Sequence, residues 1–134
     1  MDVRKAANNA LIEMSSCEKF PAFTVVVNCN GDSNRSPSCP NCGPWIQHWH
    51  ALSGEIIPAA GDCATYGCDG KTEEGLPAPI VGCHVRIMDA KDQSEYIAPL
   101  CQCCNNKKGT ALILRRATTL VHANVSETCD RLMR

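Results

Sequence analysis

The chain has 134 residues, a formal net charge of −1, 44% hydrophobic residues and only six aromatics. Length and composition fit one domain with a modest core, rich in alanine and cysteine. No stretch approaches the roughly 20 apolar residues of a membrane span, residues 1–20 lack the apolar run of a signal peptide, and the near-neutral charge is unlike a free-standing DNA-binding domain.

Val3, Ala6, Ala7, Ala10, Leu11 and Met14 recur at helical spacing, which predicts a helix over 2–18. Residues 22–27 are short and β-branched and read as a strand. Residues 28–38, full of Asn, Asp, Ser, Gly and Pro, read as a loop. A helix is expected over 44–52, opened by Pro44 and closed before Gly54. Its Trp45, His48, Trp49 and Leu52 share one face, the best amphipathic pattern in the chain, and are expected to pack. Residues 54–79 form a long Gly/Pro-rich connection, and Cys63 and Cys68 within it are candidates to pin it to a metal. Strands follow over 80–88, where Gly82 is a weak point, and over 96–100, with a polar turn at 89–94. Residues 112–114 and 118–121 suggest a further hairpin, and 125–133 a terminal helical turn.

Eleven cysteines in 134 residues are about the density of a secreted disulfide scaffold. Their odd number, their spacing and the missing signal peptide favour zinc in a reducing cytosol instead. The Asn124-Val125-Ser126 sequon is then irrelevant. Cys39-Pro-Asn-Cys42-Gly43 and Cys101-Gln-Cys103-Cys104-Asn105 each offer two thiolates on one tight turn, and two such turns complete a tetrahedral site. Cys39, Cys42, Cys101 and Cys104 are therefore the predicted structural zinc ligands. Cys103, inside the second pair, could replace Cys101 or Cys104 in a shifted geometry, but Cys101 with Cys104 has the usual spacing. Cys63, Cys68, Cys83, His84 and His48 supply enough soft ligands for a second zinc. Against that, His48 and His84 also read as hydrogen-bonded core histidines. Cys17, Cys29 and Cys129 read as packing residues.

The order of knuckle, long excursion, Gly82-Cys83-His84-Val85 and then Pro99-Leu100-Cys101-Gln102-Cys103-Cys104-Asn105-Asn106-Lys107-Lys108 resembles the ββα-metal treble clef of the HNH endonuclease superfamily over residues 39–108. The resemblance implies an α+β fold: a single small domain with an N-terminal helix and strand (1–38), an HNH-like zinc core (39–108) and a C-terminal hairpin and short helix (109–134). It also implies a catalytic role for His84 as general base, and Asn105 as a ligand of a divalent ion such as Mg2+. Cys83 and Tyr96 stand where the family has an ion ligand and an orienting asparagine, so the catalytic constellation looks degenerate.

The functional expectation is accordingly a cytoplasmic, zinc-stabilised binding or regulatory protein, of the size of a phage- or plasmid-type inhibitor, whose partner is a protein or nucleoprotein complex. One alternative is a metal-dependent HNH-type endonuclease using His84. Another is a nucleic-acid-binding zinc module using Lys107, Lys108, Arg115 and Arg116. A thiolate nucleophile activated by His84 is also conceivable, although no single cysteine has an orienting partner in the sequence.

Overall fold

The computed structural model describes residues 17–29, 44–92 and 94–123. The helix expected over 2–18, the loop at 28–38 beyond Cys29, the first knuckle with Cys39 and Cys42, and the terminal turn at 125–133 lie outside the described residues, wholly or for the most part.

Six strands form one antiparallel sheet: β1 (Cys17–Phe20), β2 (Val25–Asn28), β3 (Ile80–Ile87), β4 (Glu95–Cys101), β5 (Ala111–Ile113) and β6 (Thr118–His122), in spatial order β1-β6-β4-β3-β2-β5. Among the described residues two helices accompany it, α1 (Trp45–Ser53) and the single turn α2 (Gln102–Asn105). This corrects the expected α+β class: the described residues are organised around one antiparallel sheet with few helices, and do not form the treble-clef ββα core that the resemblance implied. Cys17 and Glu18 also belong to β1, paired with Val121 and Leu120, and do not continue a helix.

The central hairpin is β3–β4, in register from Ile80 opposite Cys101 to Arg86 opposite Glu95. Pro99 is tolerated in β4 because β6 reaches only Tyr96 and Ile97, so one edge of β4 needs no donor at Pro99. The hairpin expected from 112–114 and 118–121 does not form. β5 pairs with β2 at one edge of the sheet, and β6 pairs with β4 and β1 on the far side. The two short segments are neighbours in sequence, but each finds its hydrogen bonds on a strand already in place.

Alternation along the strands gives the sheet two dissimilar faces. One is covered by α1, whose Trp45 and Trp49 pack with Ile97 and Val121. Gly82 admits this helix: a Cβ there would lie 2.7 Å from the Trp45 carbonyl carbon and the Ile46 nitrogen. Trp49 is buried and donates its indole N–H to the Thr119 carbonyl at 2.8 Å. Gly54 ends α1 in the left-handed conformation, returning its N–H to the His50 carbonyl.

The other face buries Val26, Cys83, Val85, Ala98, Leu100, Leu112 and Leu120. Its cover is the 54–79 connection, which carries Cys63, Ala64 and Ala78 into that core. Among the described residues, no helix is long and apolar enough to cross a membrane.

Candidate metal centre

Four cysteines meet where the 54–79 connection crosses the end of the β3–β4 hairpin. The Sγ atoms of Cys63, Cys68, Cys101 and Cys104 all lie within 4.8 Å of one another. Cys63 is 3.8 Å from Cys104, and Cys68 is 3.6 Å from Cys101. Sulfurs on a regular tetrahedron with metal–sulfur bonds of about 2.3 Å stand about 3.8 Å apart. Cys63, Cys101 and Cys104 are buried, Cys68 is half-buried, and all four are free thiols.

Local backbone geometry positions each sulfur. Cys101 ends β4 and caps α2, so one tight turn presents Cys101 and Cys104 together. Cys63 and Cys68 flank the turn Ala64–Gly67, and Thr65 forms an isolated bridge with Leu114 that anchors this turn to the chain beyond β5. Gly70 takes φ +69°, and a Cβ there would collide with the Gly61 carbonyl; only glycine fits. Its N–H donates to Cys68 Sγ at 3.3 Å, and the Cys101 N–H donates to Cys63 Sγ at 3.4 Å. Such N–H···S bonds orient metal thiolates and hold their charge.

The electrostatics are those of thiols competing for one negative charge. The Cys104 thiol, hydrogen-bonded to Cys63, pulls Cys63 down to about 4 against desolvation, with Thr65 and the Cys101 backbone assisting. Cys104 rises through the same hydrogen bond and through burial. Burial pushes Cys101 up to about 12. A cation of charge two supplies what hydrogen bonds cannot, the simultaneous deprotonation of several neighbouring thiols.

The second-knuckle cysteines Cys101 and Cys104 are thus brought to Cys63 and Cys68, while Cys39 and Cys42 lie outside the described residues. The remaining candidates do not join this cluster. Cys83 faces the same core, but its thiol is directed to the His84 carbonyl at 3.9 Å, and burial raises it to about 12. Cys103 turns its thiol to the Lys71 carbonyl at 3.3 Å. His84 lies on the α1 face, edge-on to Trp45, with Nδ1 3.9 Å from the Glu95 carboxylate. His48 contacts the His122 carbonyl through Nε2 at 3.2 Å, and burial lowers its pKa. Asn105 is buried, and its side-chain oxygen accepts from the Lys108 ammonium at 3.4 Å, a neighbour that opposes a cation at that atom.

Sequence reasoning missed one contributor to this centre. Asn28, fully buried at the end of β2, donates to the carbonyls of Cys104 and Asn105 at 2.8 and 3.0 Å, and so satisfies the end of α2. Nothing in its local sequence announces this, because its partners lie more than seventy positions away.

No family model matches the chain, and no curated protein or solved structure matches it.

Proposed function

We propose that the protein is a zinc-stabilised binding protein, in which Cys63, Cys68, Cys101 and Cys104 hold one structural Zn2+. The observation that carries this reading is a set of four cysteine sulfurs all within 4.8 Å of one another, two of the pairs at 3.6 and 3.8 Å, close to the tetrahedral spacing. Four protein ligands close the coordination shell and leave no position for water or substrate, which is the pattern of a structural site and not of a catalytic one. All-thiolate donors suit zinc or iron and disfavour hard ions such as magnesium. A reducing compartment such as the cytosol keeps the ligands as thiols.

In this reading the ion staples the 54–79 connection to the β4–α2 junction. It thereby completes a face of the sheet that small side chains alone cover poorly. The stapled domain then acts by presenting its surface to a protein or nucleoprotein partner.

The test is metal analysis of the purified protein and of single variants. Cys63→Ser, Cys68→Ser, Cys101→Ser and Cys104→Ser should each lose one equivalent of zinc relative to wild type. Cys83→Ala and His84→Ala should lose none. A full complement of zinc in Cys63→Ser or Cys68→Ser would sink the assignment, and visible thiolate-to-iron absorption would replace zinc by iron.

A further inference from the structure

Phe23 and Tyr66, two of the chain's six aromatics, are 68% and 63% exposed on one patch, their ring centroids 6.3 Å apart. Their backbones are fixed to consecutive residues of one segment: the Tyr66 N–H bonds to the Ile113 carbonyl, and the Phe23 N–H to the Leu114 carbonyl. Phe23 holds φ +72°, a left-handed conformation in which a bulky side chain is strained and glycine would not be. The strain displays a ring that the core does not use. Ile113, also exposed, extends the patch along β5.

Beside the rings lies a pocket of about 240 Å³, bounded by Tyr66, Gly67 and Cys68 on one side, by Ala111 and Leu112 on the other, and by Lys107. One border of it belongs to a basic stretch of chain. Between Glu95 and Glu127 the chain has no acidic residue and four basic ones, Lys107, Lys108, Arg115 and Arg116. Arg115 continues directly from the segment that anchors the rings, and its backbone N–H bonds to the Ala64 carbonyl. Asp62 pairs with both Arg115 and Arg116, at 3.3 and 2.7 Å, so it offsets one of the two charges and holds the two guanidinium groups together.

We infer that this surface binds single-stranded nucleic acid, with bases stacking on Tyr66 and Phe23 and backbone phosphates meeting Lys107 and the Arg115–Arg116 pair. Exposed aromatic faces beside a basic rim are what an unpaired strand needs, because every base has a π-face and every link carries a negative charge. A protein partner would use the rings as well, but it would not require the basic segment 107–116 beside them, of whose charges Asp62 offsets only one. This deepens the proposed binding function and rests on the zinc staple, since Tyr66 rides on the turn between Cys63 and Cys68.

The test is fluorescence anisotropy of the zinc-loaded full chain with labelled single-stranded DNA and RNA oligonucleotides, and with a duplex, at several salt concentrations. Zinc content is measured on every sample, so a failure of the metal reading is seen separately. Expected is preference for the single strand, an affinity that falls steeply with salt, and a roughly 5- to 150-fold loss in Phe23→Ala and Tyr66→Ala with zinc retained. Lys107→Glu should weaken binding and flatten the salt dependence. If Tyr66→Ala loses zinc, Phe23→Ala, remote in sequence from every ligand, decides. No binding by the zinc-loaded protein, equal binding of duplex, or unchanged affinity in both Phe23→Ala and Lys107→Glu would overturn the inference.

Discussion

The two faces of the sheet are covered by different kinds of segment, one by a helix and the other by an irregular connection. On the α1 face, two tryptophans supply most of the cover, and Trp49 adds a buried hydrogen bond to β6. Large rings bury enough area that a nine-residue helix suffices. On the cysteine face, the core is mostly Val, Ala, Leu and Cys, with Ile80 and the edge-on pair Tyr96–Phe20 toward its margin, and its lid is an irregular connection running from 54 to 79. A segment of that length without regular structure is uncommon in a compact domain. The four sulfurs stand where a metal crosslink would pin it. One face folds by packing; with the proposed zinc bound, the other folds by packing plus coordination.

The sharpest way to break that comparison is to remove the staple. Chelation of the metal, or Cys104→Ser, should unfold the cysteine face, because structural zinc in small domains contributes about 10–16 kcal/mol of apparent binding free energy. Amide exchange would show protection lost at residues 60–80. Fully retained protection without metal would mean that the connection holds itself. Trp49→Ala tests the other face. It should cost about 3–5 kcal/mol in chemical denaturation, since a buried ring and its hydrogen bond go together, while zinc content stays at the wild-type level. Loss of zinc at moderate denaturant in this variant would show that the faces are not independent.

Two glycines make the same contrast at smaller scale. Gly82→Ala pushes a methyl into the backbone of α1 at Trp45 and Ile46. It should lower stability by about 1–3 kcal/mol through overpacking and leave zinc affinity unchanged. Gly70→Ala meets the Gly61 carbonyl and disturbs the N–H that supports Cys68. Loss of such an outer contact costs about 10- to 100-fold in metal affinity, read by competition with a chromophoric chelator. The assignment of roles fails if the two variants exchange these phenotypes.

The same contrast marks how far the sequence could be read. Helix 44–52 and strands 80–88 and 96–100 were legible to within about two residues, because Pro44, Gly54 and the polar turn at 89–94 punctuate them locally. Gly82 read as a weak point in a strand, yet it is the seat of α1; the reason lies in a contact made across more than thirty residues. Cys101 and Cys104 were legible as a ligand pair from their spacing. Their partnership with Cys63 and Cys68 was not, since any second pair satisfies a tetrahedral ion equally well. The Cys63–Cys68 interval is wider, and topology decides which pair arrives. The fold class was misread for a related reason: motif order in one dimension suggested a treble clef, whereas pairing of β5 with β2 and of β6 with β1 and β4 builds a sheet.

The smallest effect expected is on pH dependence, and it too separates the faces. His48 is on the buried side of α1, edge-on to Trp45, which also meets His84, and its Nε2 meets the His122 carbonyl. Burial lowers its pKa more than that carbonyl raises it. The unfolded chain therefore takes up the proton first, near pH 6.5. Stability from neutral His48 is complete above that value and declines as pH falls toward the lower folded pKa. Acid also weakens the cysteine face, because protons compete with the metal for thiolates, but that loss is reversed by added zinc and the His48 loss is not. With zinc saturating, stability between pH 7 and pH 5.5 should fall less in His48→Gln, which keeps a donor for the His122 carbonyl, than in wild type. Equal slopes in the two proteins would place the acid sensitivity elsewhere, and a slope abolished by zinc alone would assign it to the cysteines.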